Sequence, residues 1–273
     1  MPELPEVEVT RLGLLPLLNG QVYDVKIRNH SLRWPISPDL KKILHTQELL
    51  SLKRRGKYLL AYFTEGCLII HLGMSGKISI VNKKKETIKH DHLDILFKVG
   101  EESKILRYND TRRFGAVIWT DKDPLCHKLL NSLGPEPLKD EFNANYLYEK
   151  LRRKKQFIKS TIMDSSVVVG VGNIYASESL FLAGIKPQRQ SQKIKKREAE
   201  ELVKSIKVVI KRAIEKGGST LNDFYSVNGQ SGYFQNDHKV YGRESLGCLN
   251  CKEKIYQIKI SQRSSFYCKK CQV

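Results

Sequence analysis

From residue 20 to about 120 the apolar positions come in short runs separated by turns. Four of these runs read as β-strands: Tyr58 to Phe63, Leu68 to Leu72, His92 to Phe97 and Ala116 to Thr120. Runs of this length, bounded by turn residues, predict a mainly β domain built as a sandwich, with an N-terminal helix lying across it. The stretch Leu133-Gly134-Pro135-Glu136-Pro137 breaks regular structure and predicts a linker. Beyond it the period lengthens. Leu202, Ile206, Val209 and Ala213 recur at the spacing of one helix face, and Gly217-Gly218 closes that helix. A second helix is predicted to begin at Asn173, after Gly170 and Gly172, and to end by Gly184 and Pro187. From Ser219 to Phe234 the chain is rich in Gly, Ser, Asn and Gln and reads as a loop. Near the C-terminus Tyr256, Ile258 and Ile260 alternate with Gln257 and Lys259, the pattern of a hairpin strand. The predicted fold class is α+β.

Composition narrows the partner. The 273 residues suffice for two domains, and 48 Lys and Arg against 29 Asp and Glu leave a net charge of +19. That excess suits a polyanion, with nucleic acid the first candidate. An anionic membrane surface is the alternative, but the chain has no basic amphipathic helix of the membrane-surface type. It also has no apolar run long enough to span a bilayer and no signal-peptide core at its N-terminus. A cytosolic chain without a membrane partner is expected. Six cysteines in such a chain argue against a disulfide framework and for a metal site where the spacing agrees.

The spacing agrees for four of them. Cys248-x2-Cys251 and Cys268-x2-Cys271, with sixteen residues between the pairs, is the arrangement of a closed tetrahedral zinc site with four thiolates. Such a site is structural, because a catalytic zinc keeps a position open for water. Arg263 lies near the hairpin tip, where a phosphate contact is the simplest role. The turn Gly170-Val171-Gly172 leading into Asn173 presents helix N-terminal N–H groups to an anion, or is plain turn chemistry. Upstream, Arg152-Arg153-Lys154-Lys155 reads either as an anion contact or as a solvated helix face. The opening octet MPELPEVE has two readings as well. Pro5, Glu6 and Glu8 make an ordinary acidic helix start. Loss of Met1 would instead expose the secondary amine of Pro2 with the Glu3 carboxyl beside it. Lys57 is either an exposed strand-end lysine or an inward-pointing one. Met74, between Gly73 and Ser75, is a core methionine or an exposed apolar tip. Arg112, Arg113 and Phe114 combine cations with an aromatic as wedge-type DNA binders do, unless Phe114 is buried in an edge strand.

In order along the chain, PELPEVE, RRGKYLL, HLGMSG, KHDHLD, RRFGA, LGPEPL, VVGVGNIYASESLF, GGSTLNDF, GYF, VYGR and QRSSFYCKKCQ resemble the bacterial formamidopyrimidine-DNA glycosylases. The resemblance covers nearly the whole chain. Two places depart from the family pattern. An Asp-Pro-Arg-Arg-Phe run reads Asp110-Thr111-Arg112-Arg113-Phe114, and an Ile-Lys-Pro reads Ile158-Lys159-Ser160. The related endonuclease VIII enzymes begin Pro-Glu-Gly-Pro-Glu, whereas this chain has Leu4. Its Ser219–Phe234 segment also resembles the loop that covers an oxidised purine in the first family.

The resemblance implies three parts. Residues 1–134 form a catalytic β-sandwich with the N-terminal helix, and 135–235 a helix–two-turn–helix DNA-binding domain with the lesion-covering loop. Residues 236–273 form a zinc finger with a ribbon-like β-hairpin and one structural Zn2+. It implies a monomeric, bifunctional glycosylase and AP lyase of base excision repair. The substrates are 8-oxoguanine and formamidopyrimidines in damaged double-stranded DNA, and the location is the bacterial cytoplasm, at the nucleoid. Pro2 carries over as the nucleophile that forms a Schiff base, Glu3 as the acid/base beside it and Glu6 as a contact to the opened sugar. Lys57 carries over as proton donor for β-elimination and Arg263 for δ-elimination. Met74, Arg112 and Phe114 match the residues that fill the space of the flipped nucleotide, and His90, Lys154 and Asn173 match phosphate contacts. The alternatives are an endonuclease VIII-like enzyme for oxidised pyrimidines and a non-catalytic zinc-containing nucleic-acid-binding protein. Pro2, Glu3, Lys57 and Arg263 together count against the latter.

Overall fold

The computed structural model describes residues 2–82, 85–219 and 232–273. The chain forms two compact units, Met1–Asn131 with Gly217–Gly232, and Ser132–Lys216 with Tyr233–Val273. In the first unit, α1 (Leu4–Gly13) starts where Pro5 suits the first turn and a capping box joins Glu3 and Glu6. Among the described residues eight antiparallel strands follow, with the short helix α2 (Leu40–Leu44) after the first. They are β1 (Gln21–Ile27), β2 (Leu49–Arg55), β3 (Tyr58–Phe63), β4 (Gly66–His71), β5 (Gly76–Val81), β6 (Asp91–Val99), β7 (Glu102–Asp110) and β8 (Ala116–Thr120). One sheet has the order β1-β6-β7-β5 and the other β2-β3-β4-β8. This is the expected sandwich, and all four predicted runs are strands in it.

The core lies between the sheets. Leu93, Ile95 and Phe97 of β6 face Leu59, Leu68 and Ile70 within it, and Val7, Leu14 and Leu17 bring the N-terminal segment onto the same core. The alternate positions of β6 face outward, where Leu96 packs on Val81 and Ile105. Asp94, on that outer face, pairs across the ladder with Arg107. The guanidinium grips the carboxylate with two bonds, Nε–Oδ1 and Nη2–Oδ2, both 2.9 Å. Arg28 adds a third bond to Asp94 at 2.6 Å, and Arg107 Nη1 donates to the Glu86 carbonyl at 2.8 Å. One buried cation thus holds the β5–β6 connection, and with it the backbone leading to His90. Asn109 Nδ2 holds the same connection through the Lys89 carbonyl at 3.2 Å and Asp91 Oδ1 at 2.8 Å.

The second unit is helical with one hairpin: α3 (Ala144–Arg152), α4 (Ile158–Ile162), α5 (Asn173–Leu182), α6 (Lys196–Glu215), β9 (Ile255–Ile260) and β10 (Arg263–Cys268). The stripe Leu202, Ile206, Val209 and Ala213 of α6 is buried, and α6 packs on α3 and α5. Glu178 of α5 accepts three backbone N–H groups, from Lys239, Val240 and Tyr241 at 2.8, 3.0 and 2.8 Å. Those bonds dock the segment that leads into the hairpin. Ser261 and Gln262 join β9 to β10 with φ of 47° and 62°, the two left-handed residues of a tight hairpin turn.

Arg107→Ala should lower stability by about 3 kcal/mol, since it leaves a buried carboxylate without its main partner. Burial raises the Asp94 carboxyl, but the bonds from Arg107 and Arg28 outweigh it and hold it below its ordinary 3.8. Its contribution is therefore complete above pH 3.8 and is lost as pH falls through the lowered value. Urea unfolding of wild type and Arg107→Ala between pH 2 and 7 should show the difference shrinking at the acid end, roughly below pH 4.

Candidate active site and DNA-facing loops

Strand register gathers five of the predicted site residues of the first unit at one end of the sandwich. Tyr58 pairs with His71 and His71 with Ala116, so the turn holding Lys57 and the start of β8 are level. Gly76 pairs with Asp110, and Asn109 with Asp91, which brings the end of β7 level with the starts of β5 and β6. The loops at this end carry Lys57, Met74, His90, Arg112 and Phe114.

The N-terminus is built in rather than frayed. Pro2, Glu3 and Glu6 are all buried. Glu6 uses both carboxylate oxygens. Oε2 accepts the Glu3 backbone N–H at 2.8 Å and Oε1 accepts the Ser219 N–H, also at 2.8 Å. The helix start and the first residue of the Ser219–Phe234 loop thus share one acid. Gly218 explains the glycine pair found by sequence. Its φ is +80°, and a Cβ there would lie 2.9 Å from Glu6 Oε1. Residues 220–231, which hold most of the expected lesion-covering loop, lie outside the described residues.

Lys57 is half-buried in the two-residue turn Gly56-Lys57 between β2 and β3. Arg54 ties this turn to α1. Its Nε pairs with Glu8 Oε2 at 2.9 Å and its Nη1 donates to the Gly56 carbonyl at 3.1 Å. Burial pushes the Glu8 carboxyl up, but Arg11 and Arg54 more than reverse that and hold it below the usual range. His71 faces Tyr58 with ring centroids 4.8 Å apart. Burial, and then the positive charges of Lys57 and Arg33, push its pKa down to about 4, so the ring is neutral at pH 7. Its Nδ1 accepts the Gly73 N–H at 3.1 Å. Neither Arg54 nor His71 stands out in the sequence, although both lie inside the strings RRGKYLL and HLGMSG.

Met74 is 37% exposed and Phe114 44% exposed, so neither is a core side chain. The Arg112 guanidinium stacks 4.8 Å from the centre of the Phe114 ring. Beside them a cleft of about 460 Å³ is lined by Ser31, Leu32, Arg33, Arg112, Arg113 and Phe114. His90, at φ 73°, occupies the corner where the chain enters β6.

In the second unit Asn173 is the first residue of α5. Its Nδ2 donates to the Ser264 carbonyl at 3.0 Å, and its buried Oδ1 has no hydrogen-bond partner. The buried Lys159 donates to the same carbonyl at 3.1 Å and to Ser265 Oγ at 2.7 Å. Arg263, the residue before Ser264, is exposed. Asn173 and Arg263, far apart in sequence, are thus brought together through Ser264. Ser160, one of the two departures, bonds Ser261 of the hairpin turn, Oγ to Oγ at 3.0 Å. Lys154 pairs with Asp164 at 3.1 Å and keeps about a third of its side chain exposed. The four predicted cysteine ligands converge, with every Sγ within 4.8 Å of the others and two pairs at 3.5 and 3.8 Å. A tetrahedron of sulfurs about 2.3 Å from a central zinc has edges of roughly 3.8 Å. The donor set fits a metal ion.

A helix-fronted β-sandwich with a basic, helical unit that ends in a four-cysteine hairpin is the build of one class of DNA glycosylase, and the comparisons agree. The sequence model of the formamidopyrimidine-DNA glycosylase N-terminal domain matches residues 1–117, and that of the H2TH domain of the same enzymes matches 133–225. A formamidopyrimidine-DNA glycosylase of Ruthia magnifica is 51% identical over 273 residues, the whole of both chains. One of Hydrogenovibrio crunogenus is 50% identical over 273 residues, covering this chain entirely and 96% of the relative. Among solved structures, Lactococcus lactis Fpg in complex with abasic-site DNA superposes with a TM-score of 0.89 at 32% identity, covering 99% of each chain. MutM (Fpg) of Thermus thermophilus gives 0.87 at 34% identity, covering 99% of this chain and 98% of that one. The chain belongs to the formamidopyrimidine-DNA glycosylase family. The resemblance read from its motifs holds over its full length.

Gly218→Ala should displace the Glu6 carboxylate or the Ser219 N–H and add the strain of a left-handed alanine. A stability loss of roughly 1–3 kcal/mol in urea unfolding is expected, together with slower lesion processing. Gly100→Ala, at φ +56° but with open space around a Cβ, is the control for backbone strain alone and should spare the chemistry.

Proposed function

We propose that the protein is a bifunctional glycosylase and AP lyase that excises oxidised purines, 8-oxoguanine and formamidopyrimidines, from duplex DNA. The observation that carries the reading is the buried start of α1. A proline amine, available once Met1 is removed, stands beside a buried carboxyl, and the helix is fastened by Arg54 to the turn that bears Lys57. Support for the substrate class comes from relatives whose solved complexes hold abasic-site and Fapy-dG DNA.

The chemistry follows from a secondary amine. The Pro2 nitrogen attacks C1′, the glycosidic bond breaks, and its electrons leave with the base, which takes up a proton. The Pro2 nitrogen, an ammonium after the attack, then releases its N–H proton, which balances the proton taken up by the base. The freed lone pair expels O4′, which takes a proton from Glu3, and an iminium forms. A secondary amine gives an iminium with no N–H to lose, so the charge stays and acidifies the C2′ proton. Removal of that proton expels the 3′ phosphate by β-elimination, with Lys57 serving proton transfer. A second elimination, served by Arg263, expels the 5′ phosphate. The amine must be unprotonated to begin. A free α-amino group titrates near ~8, so a fraction is neutral at pH 7; the positive end of α1 favours the neutral form, while Glu3 as carboxylate opposes it. Glu6 contacts the opened sugar.

The base must leave the stack before any of this, and Met74, Arg112 and Phe114 fill the space it vacates. His90, Lys154 and Asn173 hold phosphates, as does Arg263. By task, 1–134 carries the nucleophile and Lys57, 135–235 grips the duplex and covers the lesion, and 236–273 presents the zinc hairpin with Arg263. Cys248, Cys251, Cys268 and Cys271 hold one zinc ion, which supplies folding energy to the hairpin and takes no part in the reaction. Among the described residues no helix is long and apolar enough to cross a membrane. The protein acts as a monomer on DNA in the bacterial cytoplasm, at the nucleoid.

Borohydride added during turnover of abasic-site DNA should trap a covalent adduct whose peptide maps to Pro2, with Met1 absent by mass spectrometry. An adduct formed equally well by a chain that still carries Met1 would end the Schiff-base assignment. Metal analysis should find one zinc per chain, and Cys268→Ser should lose both the zinc and DNA binding. Full DNA affinity without metal would end the zinc assignment.

A further inference from the structure

The three side chains proposed to fill the vacated space sit on two separate loops, 72–75 and 111–115. Each loop carries the chain from one sheet to the other. β4 and β8 pair in one sheet and β5 and β7 in the other, so the two crossings run side by side. They touch backbone to backbone. Gly73 has φ +61°, and a Cβ on it would lie 2.5 Å from the Phe114 carbonyl carbon. A Cβ on Gly115 would lie 1.8 Å from the Tyr108 hydroxyl and 2.7 Å from the His71 carbonyl oxygen.

Both loops are also bonded to one acid. Asp110 has no exposed surface. Its Oδ1 accepts from Ser75 Oγ at 2.6 Å, and Ser75 Oγ in turn accepts the Arg112 N–H at 2.9 Å. Its Oδ2 accepts the Gly115 N–H at 2.9 Å and the Tyr108 hydroxyl at 3.2 Å. Tyr108 keeps its proton for this bond, because burial and then the Asp110 charge raise its pKa well above the ordinary value. The Asp110 main chain completes the set. Its N–H donates to the His90 carbonyl at 3.1 Å and its carbonyl accepts from His92 Nε2 at 2.7 Å. Ser75 neighbours Met74, Gly115 neighbours Phe114, and Arg112 is held by its own N–H.

We propose that Asp110 is the positioning residue of the hole-filling trio: through Ser75 and Gly115 it sets Met74, Arg112 and Phe114 at fixed relative heights, so that they enter the duplex together. This rests on the reading above, in which those three side chains support the duplex after extrusion. The carboxylate suits the task. Its two oxygens accept from both loops at once, and each charge-assisted bond is stronger than a neutral one. Asp110 touches no DNA in this role and takes no part in bond breaking.

The test compares two rates in each variant, excision of 8-oxoguanine from duplex DNA and cleavage at a pre-formed abasic site, where no base must be unstacked. Ser75→Ala removes the bond on the Met74 side and keeps Asp110 and its bond to Gly115. It should lower the ratio of the two rates by roughly 5- to 10-fold, the change that one lost hydrogen bond of ordinary strength corresponds to. Asp110→Ala should lower it further. Asp110→Asn should retain most of it, since the amide oxygen still accepts from Gly115 while the NH2 donates to Ser75 Oγ. Met74→Ala and Phe114→Ala are measured alongside. A lowered ratio in Met74→Ala with an unaltered ratio in Ser75→Ala overturns the role of Asp110, and Ser75→Ala decides this even if Asp110→Ala does not fold. An unaltered ratio in both Met74→Ala and Phe114→Ala overturns the hole-filling reading itself, and the present one with it. Equal slowing of both substrates in Ser75→Ala and Asp110→Asn would assign Asp110 to general stability and would also overturn the proposal.

Discussion

A sandwich of two antiparallel sheets obliges the chain to cross from one sheet to the other, and in this protein the constraint shapes the first unit. Both crossings between β4/β8 and β5/β7 fall at the same end, and neither can be long, because paired strand ends leave only a few residues to cover the gap. Short crossings over a packed core expose backbone donors that must be satisfied. Asp110 satisfies one directly and another through Ser75. The need to terminate two sheets cleanly therefore also produces a rigid rim with exposed tips.

Several acids of this chain are turned inward and bonded. Glu6, Asp91, Asp94, Asp110 and Glu178 are buried and bonded to backbone amides, guanidinium groups or hydroxyls. Glu8 and Glu198 are engaged by Arg54 and Arg189. The net charge of +19 is what draws in a polyanion.

Much of this was legible in the sequence because the informative residues are irreplaceable locally. The four cysteines announce their geometry by spacing. The runs 58–63 and 116–120 coincide with β3 and β8, and the stripe of α6 is buried as its period requires. Strands β1, β2, β5 and β7 were not evident, because Gln21-Val22-Tyr23-Asp24 and Leu52-Lys53-Arg54-Arg55 mix charges into the alternation. Arg107 is a buried cation on a strand, which periodicity assigns to solvent. Asn173 and Lys159 reach Ser264, and so come beside Arg263, only through tertiary packing. The Ser160 departure is visible as a lost proline, but the bond it gains to Ser261 depends on where the hairpin turn packs. Arg54, His71 and Asp110 illustrate the general limit: a residue that acts by holding others has no signature of its own.

The rim at the sandwich end also bears on how such a chain can change over generations. Gly73 and Gly115 have no space for a Cβ, so at those two positions every substitution adds atoms where backbone already stands. The side chains of Met74, Arg112 and Phe114 project from the same rim into the open. Mutation is thus filtered unequally over a stretch of a few ångströms. The mount is frozen while the tips are free to vary in size, charge and shape at little cost to folding. A lineage can therefore explore new ways of probing a duplex by exchanging tips on an unaltered handle.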